Sequence, residues 1–354
     1  MFKNTNGTNM NKKIAVVGAG AIGSSVSADL TKAGLDVTVI DQWPAQVEKL
    51  KADGIIIRMP DGEVVTPIRA LHLCELSSAR LEFDIVLLAI KSNDHRWLTE
   101  FIKPYLKADG VLVPVQNGFN DDSIASIIGR NRVIGCALEL SAEIFTPGEV
   151  KRNTTHTNTW FGVGELDGFY TPRLKEIESI LGHVGHVEAA GNIYSTKWTK
   201  LVANTMTMGP FGLLGLGNKD AATLPGMFEM SIAMGKESLA VGTALGYRME
   251  PIFGLRADEM VGPNEEILIK AMNTLLSHVT RGRTAPIQDH MKGRISEMEF
   301  IPGAVSKRGR ELGIATPFND AIVEIDRMIN RGELAMSADN FKLLQEKVGL
   351  KPQA

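Results

Sequence analysis

Two cysteines in 354 residues, Cys74 and Cys136, are too few for a disulfide framework. Neither stands in the paired Cys/His spacing of a zinc site, and the seven histidines show no metal-type spacing. His183 and His186 read as parts of a surface turn. Such sparing cysteine use fits a reduced, cytoplasmic setting. No apolar run reaches the roughly 20 residues that a membrane-spanning helix needs. Charge of one sign is also missing: the net charge is −3, with both signs spread along the chain. There is no basic stripe for nucleic acid and no acidic solvating arm, so neither nucleic acid nor a membrane is expected as a partner. Internal repeats and low-complexity tracts are absent too. The opening "MFKNTNGTNMNKK" lacks the apolar core of a signal peptide and reads as a flexible tail over residues 1–10.

What is present is an ordinary globular composition, 44% hydrophobic and 22% charged, in a chain long enough for two domains. "KIAVVGAG" is a short apolar run closed by glycines, as in a buried parallel strand. "AIGSSVSADLTKAG" follows with helical spacing, then strand "DVTVID" and helix "WPAQVEKLKADG". "FDIVLLAIK", "GVLVPVQNG" and "RVIGCALEL" are further strands. This alternation predicts a doubly wound parallel sheet. Residues 145–165 turn Thr- and Gly-rich and read as one or two antiparallel hairpins. A helix over Pro172 to Leu181 and the strand "HVEAA" close this half. Beyond Gly191 helical patterns dominate: 192–208, 226–246, 263–279, 295–312 and 317–331, with breaks at Pro210, Pro251, Pro263 and Pro317. The expected organisation is a tail (1–10), a dinucleotide-binding domain (11–190) and a helical domain (191–354).

"GAGAIG" sets Gly18, Gly20 and Gly23 in G-x-G-x-x-G spacing after a strand and at the start of a helix. In a dinucleotide site the first glycine permits the tight turn. The second lets the backbone approach a pyrophosphate, and the third lets helix and strand pack closely. Ala21 and Ile22 open the helix, whose N-terminus favours phosphate. Asp41 ends the second strand, where an acid can accept from the adenosine ribose and would repel a 2′-phosphate, which favours NAD over NADP. The same residue could instead cap the following helix. Lys49 and Lys51 lie close enough in sequence to offset its charge.

"STKWTKLVANTMTMGP" places Lys197, Lys200, Asn204 and position 208 within about 80° of one helical face. Burying a cation costs several kcal/mol unless it is paired, so a lysine among Trp198, Leu201, Val202 and Met206 suggests work on a polarised carbonyl. Lys197 is read either as a neighbour that tunes Lys200 or as a solvated cation.

Together, "GAGAIG", "KSND" after a strand, the "QNG" turn, "WTKLVAN" and "SEMEFIPGAVSKRGRELGIATPFN" resemble the ketopantoate reductases (2-dehydropantoate 2-reductases), from Lys13 to about Asn330. The resemblance implies a Rossmann domain, an all-helical domain and an active site in the cleft between them. It implies a nicotinamide cofactor and reduction of a 2-oxo acid, 2-dehydropantoate to pantoate in the family. By position it makes Lys200 the catalytic lysine, Asn204 its amide partner and Glu297 the family's acid. Lys91 and Asn117 become cofactor or substrate contacts, and a homodimer is expected.

Three positions depart from the family pattern. Met208 stands where a second asparagine is common, Ala285 where a substrate-binding serine is common, and Pro302 replaces an asparagine. Loss of polar contacts at Met208 and Ala285 suits a more apolar 2-oxo acid. Arg283, Lys292 and Arg294 are carboxylate candidates that also read as solvated surface. Two alternatives stand beside this one: a β-hydroxyacid dehydrogenase, against which "AAGNIYSTK" argues, and a non-catalytic NAD-binding sensor. The fifteen methionines read as core filler, and the small residues of 226–246 as a possible dimer face.

Overall fold

The computed structural model describes residues 12–252, 264–278 and 282–351; the tail expected over 1–10 and the break expected at Pro263 lie outside them. The chain forms two compact units. One holds the described residues up to Gln116 together with Asn120–Ile193. The other holds Asn117–Phe119 together with the described residues from Tyr194 onward.

The first unit begins with β1 (Lys13–Val17), α1 (Ala21–Lys32), β2 (Asp36–Asp41) and α2 (Pro44–Asp53). It continues with β3 (Ile55–Met59), β4 (Gly62–Thr66), β5 (Ala70–His72), α3 (Leu73–Ala79), β6 (Phe83–Leu88), α4 (His95–Ile102) and β7 (Leu106–Val113). Strands β5-β2-β1-β6-β7 form a sheet in that order, each neighbour parallel. Ile14, Ala15, Val16 and Val17 are all buried, which explains why β1 reads as an unbroken apolar run. From β1 the sheet grows one way to β2 and the other way to β6. The carboxyl ends of β1 and β6 therefore flank the switch point where open α/β sheets bind ligands.

After α5 (Asp121–Ile128) come β8 (Ile134–Glu139), β9 (Ala142–Thr146), β10 (Glu149–Arg152), β11 (Trp160–Glu165), α6 (Pro172–Leu181) and β12 (His186–Ala189). Only one hairpin, β9–β10, occupies the Thr- and Gly-rich region, and it joins β3 and β4 in a separate sheet. Strand β11 is buried along its whole length and needs a partner on each edge, found in β8 and β12. His186 accordingly starts a strand and does not belong to a turn. The buried pair Arg152–Asp29, at 2.6 Å, ties β10 to α1, and Arg152 also donates to Thr159 Oγ1 and the Val184 carbonyl.

The second unit is helical: α7 (Ile193–Phe211, its first residue counted with the other unit), α8 (Asn218–Ala222), α9 (Met227–Ala244), α10 (Asn264–His278), α11 (Ala285–Met291), α12 (Pro302–Leu312), α13 (Pro317–Asn330) and α14 (Asn340–Lys347). No described helix is long and apolar enough to cross a membrane. Pro210 does not break α7, because in the last turn its missing N–H costs only one intrahelical bond. The helix expected over 295–312 starts instead at Pro302, whose fixed φ and missing N–H suit a first helical position. Two of the small residues of α9, Gly235 and Gly242, pack inside this chain. A Cβ on Gly242 would stand 2.1 Å from Trp198 Nε1, and one on Gly235 would stand 2.9 Å from Met206 Sδ. Trp198 Nε1 donates to the Ser238 carbonyl at 2.9 Å. Met206, Met227, Met230, Met234, Met272 and Met298 are among the buried side chains of this unit's core.

Candidate active site

The glycine loop lies between β1 and α1, and its three glycines have three different surroundings. Gly18 has φ +102° and sits so close to the chain after β6 that a Cβ would meet the Ala89 carbonyl at 2.4 Å. A Cβ on Gly23 would fall 1.9 Å from the Gly18 carbonyl oxygen. Around a Cβ on Gly20 there is nothing within 4 Å. Two glycines are thus required by packing within the protein, while the third leaves its face of the loop open. Gly20 caps α1 without a side chain, and no acid lies in the first turn that Ala21 and Ile22 begin. A helix N-terminus left this way suits an anion, so the loop fits a dinucleotide pyrophosphate.

The Asp41 carboxylate closes the loop from the end of β2. One oxygen accepts the Ala19 N–H and the other the Trp43 N–H at 2.6 Å. The same acid therefore shapes the loop and the entry to α2, and it remains half-buried. The sequence gave no hint of Gln46, which is fully buried on α2 and holds Ala19 from the other side. Its Nε2 donates to the Ala19 carbonyl at 3.2 Å and to Ser24 Oγ at 3.3 Å, and its Oε1 accepts from Gly148 N–H at 2.8 Å. Ser24 Oγ donates to that carbonyl as well.

Lys91 follows β6 at the start of a short 3₁₀ turn, Ser92–Asp94, and is half-buried. A buried polar network fixes this turn against the end of β7. Asn120 Nδ2 donates to Ser92 Oγ at 2.9 Å and to Gln116 Oε1 at 2.8 Å. His95 Nδ1 lies 2.6 Å from the Ser92 carbonyl, which can only accept, so Nδ1 carries the proton and neutral Nε2 accepts from Ser123 Oγ at 2.8 Å. Burial holds the His95 pKa below the ordinary histidine value, and the Arg96 charge adds to the effect.

In the helical unit, Asn117, Gly118 and Phe119 rest on α7. Gly118 takes a positive φ of 89°, which shapes the turn. Phe119 packs edge-on to Trp198 at 5.4 Å between centroids and also meets Tyr194 and Tyr247. Asn204 Nδ2 donates to Asn117 Oδ1 at 3.3 Å, so these two predicted site residues do come together. One turn earlier on that face Lys200 is half-buried. Lys197, read from sequence as tuning or solvated, is buried at 3% exposure, which removes the solvated reading.

Met208, Ala285 and Glu297 converge through their neighbours. A Cβ on Gly212 would meet Met298 Cε at 2.4 Å, the Met208 carbonyl at 2.6 Å and Pro286 Cβ at 3.0 Å. The end of α7, the start of α11 and the turn after Glu297 therefore pack at one point. Met208 and Ala285 are half-buried, and Glu297 is buried at 2% exposure. Glu297 lies just before the 3₁₀ turn Met298–Phe300, not inside a helix. Arg283 and Arg294 are exposed and Lys292 is half-buried. Pro302 is buried in the first turn of α12.

Known proteins give the same division of the chain. Residues 14–165 match the family model "Ketopantoate reductase PanE/ApbA", and residues 192–330 match that of its C-terminal region. The 2-dehydropantoate 2-reductase of Archaeoglobus fulgidus is 26% identical over 325 residues, covering 91% of this chain and 99% of its own. A PanE/ApbA family ketopantoate reductase from Ralstonia eutropha superposes with a TM-score of 0.76 at 22% identity, covering 91% of this chain and 99% of its own. D-mandelate dehydrogenase, solved with NADH and anilino(oxo)acetate, superposes with a TM-score of 0.79 at 20% identity, covering 90% and 99%. The chain belongs to the ketopantoate reductase family of nicotinamide-dependent oxidoreductases.

Proposed function

We propose that the chain reduces a 2-oxo acid bearing an apolar substituent to the 2-hydroxy acid, with NADH preferred. The observation that carries this reading is the α7 face, where Lys200 stands one turn before Asn204 and Asn204 binds Asn117 at 3.3 Å. Gly18, Gly20, Gly23 and the first turn at Ala21 and Ile22 hold the dinucleotide phosphates, and Asp41 faces the adenosine ribose. Lys91 holds its nicotinamide half. The bound cofactor supplies a hydride to the carbonyl carbon. Lys200 stabilises the charge that grows on the carbonyl oxygen and gives it a proton. Asn204 and Asn117 orient the substrate beside Lys200, and Glu297 holds the lysine and substrate in register.

Met208 and Ala285 support the substrate class. Neither offers a hydrogen bond to a substrate hydroxyl, and the thioether and methyl suit an apolar group. D-mandelate dehydrogenase, with its anilino(oxo)acetate ligand, suggests which acids to try first. A carboxylate at Asp41 supports NADH, because a 2′-phosphate would meet like charge there.

The test is NADH consumption over a panel containing phenylglyoxylate, phenylpyruvate, branched aliphatic 2-oxo acids and 2-dehydropantoate. The apolar acids should exceed 2-dehydropantoate in kcat/KM by about 10- to 100-fold, the usual reach of an apolar pocket. Preference for 2-dehydropantoate would overturn the substrate class. Turnover of no 2-oxo acid would overturn the enzymatic reading.

A further inference from the structure

Glu297 stands at the start of the single 3₁₀ turn Met298–Phe300. Its carbonyl accepts from Phe300 N–H at 2.9 Å, and Ile301 N–H reaches the Met298 carbonyl at 3.3 Å. A single 3₁₀ turn of this kind is held by its surroundings more than by itself. Those surroundings centre on Asp326 of α13, a carboxylate at 1% exposure. Ser296 Oγ lies 2.7 Å from each Asp326 oxygen. Asn330 Nδ2 donates to Oδ2 at 2.8 Å, and His290 Nε2 of α11 lies 2.9 Å from Oδ1. The peptide that follows Glu297 and the peptide that precedes Ser296 are then tied in. Met298 N–H donates to Ser296 Oγ at 3.3 Å, and Ser296 N–H donates to Asn330 Oδ1 at 3.3 Å.

We infer that Ser296, fixed by Asp326, is a positioning residue that sets the location of Glu297; this rests on the role proposed for Glu297 above. The Ser296 hydroxyl is bonded to the Asp326 carboxylate and to the Met298 N–H, so it acts through the turn. The same Asp326 carboxylate reaches His290 of α11, the helix that starts at Ala285. One acid on α13 therefore holds the Glu297 turn and an element of the apolar substrate wall together. Neither Ser296 nor Asp326 was singled out by motif reading.

The experiment is a mutant cycle on the full chain with NADH and the best 2-oxo acid, with thermal unfolding measured alongside. Ser296→Ala should lower kcat by about 10- to 100-fold, the scale of a small misplacement of a working group. Ser296→Thr keeps the hydroxyl and should recover kcat to within about threefold of the parent. In a Glu297→Ala background, Ser296→Ala should cause no further loss, because there is then nothing left to position. Equal losses in both backgrounds, or no recovery with threonine, would overturn the inference while leaving the role of Glu297 intact. Full activity in Glu297→Ala would overturn both. Should Ser296→Ala fail to fold, Ser296→Cys keeps nearly the same volume and carries the same cycle.

Discussion

The glycine loop and the Glu297 turn are each held by a carboxylate, and they are held differently. At the loop, Asp41 accepts two backbone N–H groups and stays half-buried. At the turn, Asp326 is sealed, and a serine, an asparagine and a histidine lie within hydrogen-bond distance of it. The loop itself is fixed mainly by close backbone packing, where a methyl group has no room. The turn is fixed by side chains that arrive from α11 and α13. The glycine loop combines close backbone packing with the side chains of Asp41, Gln46 and Ser24. The turn that follows Glu297 is placed by side chains from other helices.

The largest expected effect separates the two acids. Asp326→Ala strands several buried donors and should cost about 3–5 kcal/mol. Asp41→Ala leaves two backbone N–H groups unpaired at a half-buried position and should cost about 1–2 kcal/mol. Urea unfolding of both variants checks the contrast, and equal losses would break it. A smaller effect separates two glycines of the loop. Gly23→Ala drives a methyl into the Gly18 carbonyl and should cost about 1–3 kcal/mol. Gly20→Ala points into open space and should stay within about 0.5 kcal/mol of the parent. It should still weaken NADH binding, which fluorescence titration would show. Unchanged NADH affinity in Gly20→Ala would remove the pyrophosphate from that face of the loop.

The same contrast explains what could be read in the sequence. Gly18 and Gly23 were legible because positive φ and close packing admit almost no other residue, and the demand is local. The parallel sheet was legible because strands buried on both faces become short apolar runs. Gln46 was not legible, since its bond to Ala19 spans 27 residues and a buried glutamine has no motif. Asp326 was hidden for the same reason, lying 30 residues from Ser296. The 295–312 segment has helical spacing throughout, but Pro302, with its fixed φ and missing N–H, sets the start of the helix. The hairpin β3–β4 was passed over although "MPDGEVV" carries a turn between two β-branched runs. Spacing alone also cannot tell that Gly235 and Gly242 of α9 pack against Met206 and Trp198 of the same chain.

Chemistry at Lys200 is the central claim, and a single variant tests it most directly. Lys200→Ala should keep its melting temperature and its affinity for NADH. With the best 2-oxo acid its kcat should fall by about 10²- to 10⁴-fold, the range of a lost proton donor. A fall of less than about tenfold in a folded, NADH-binding variant would contradict the account.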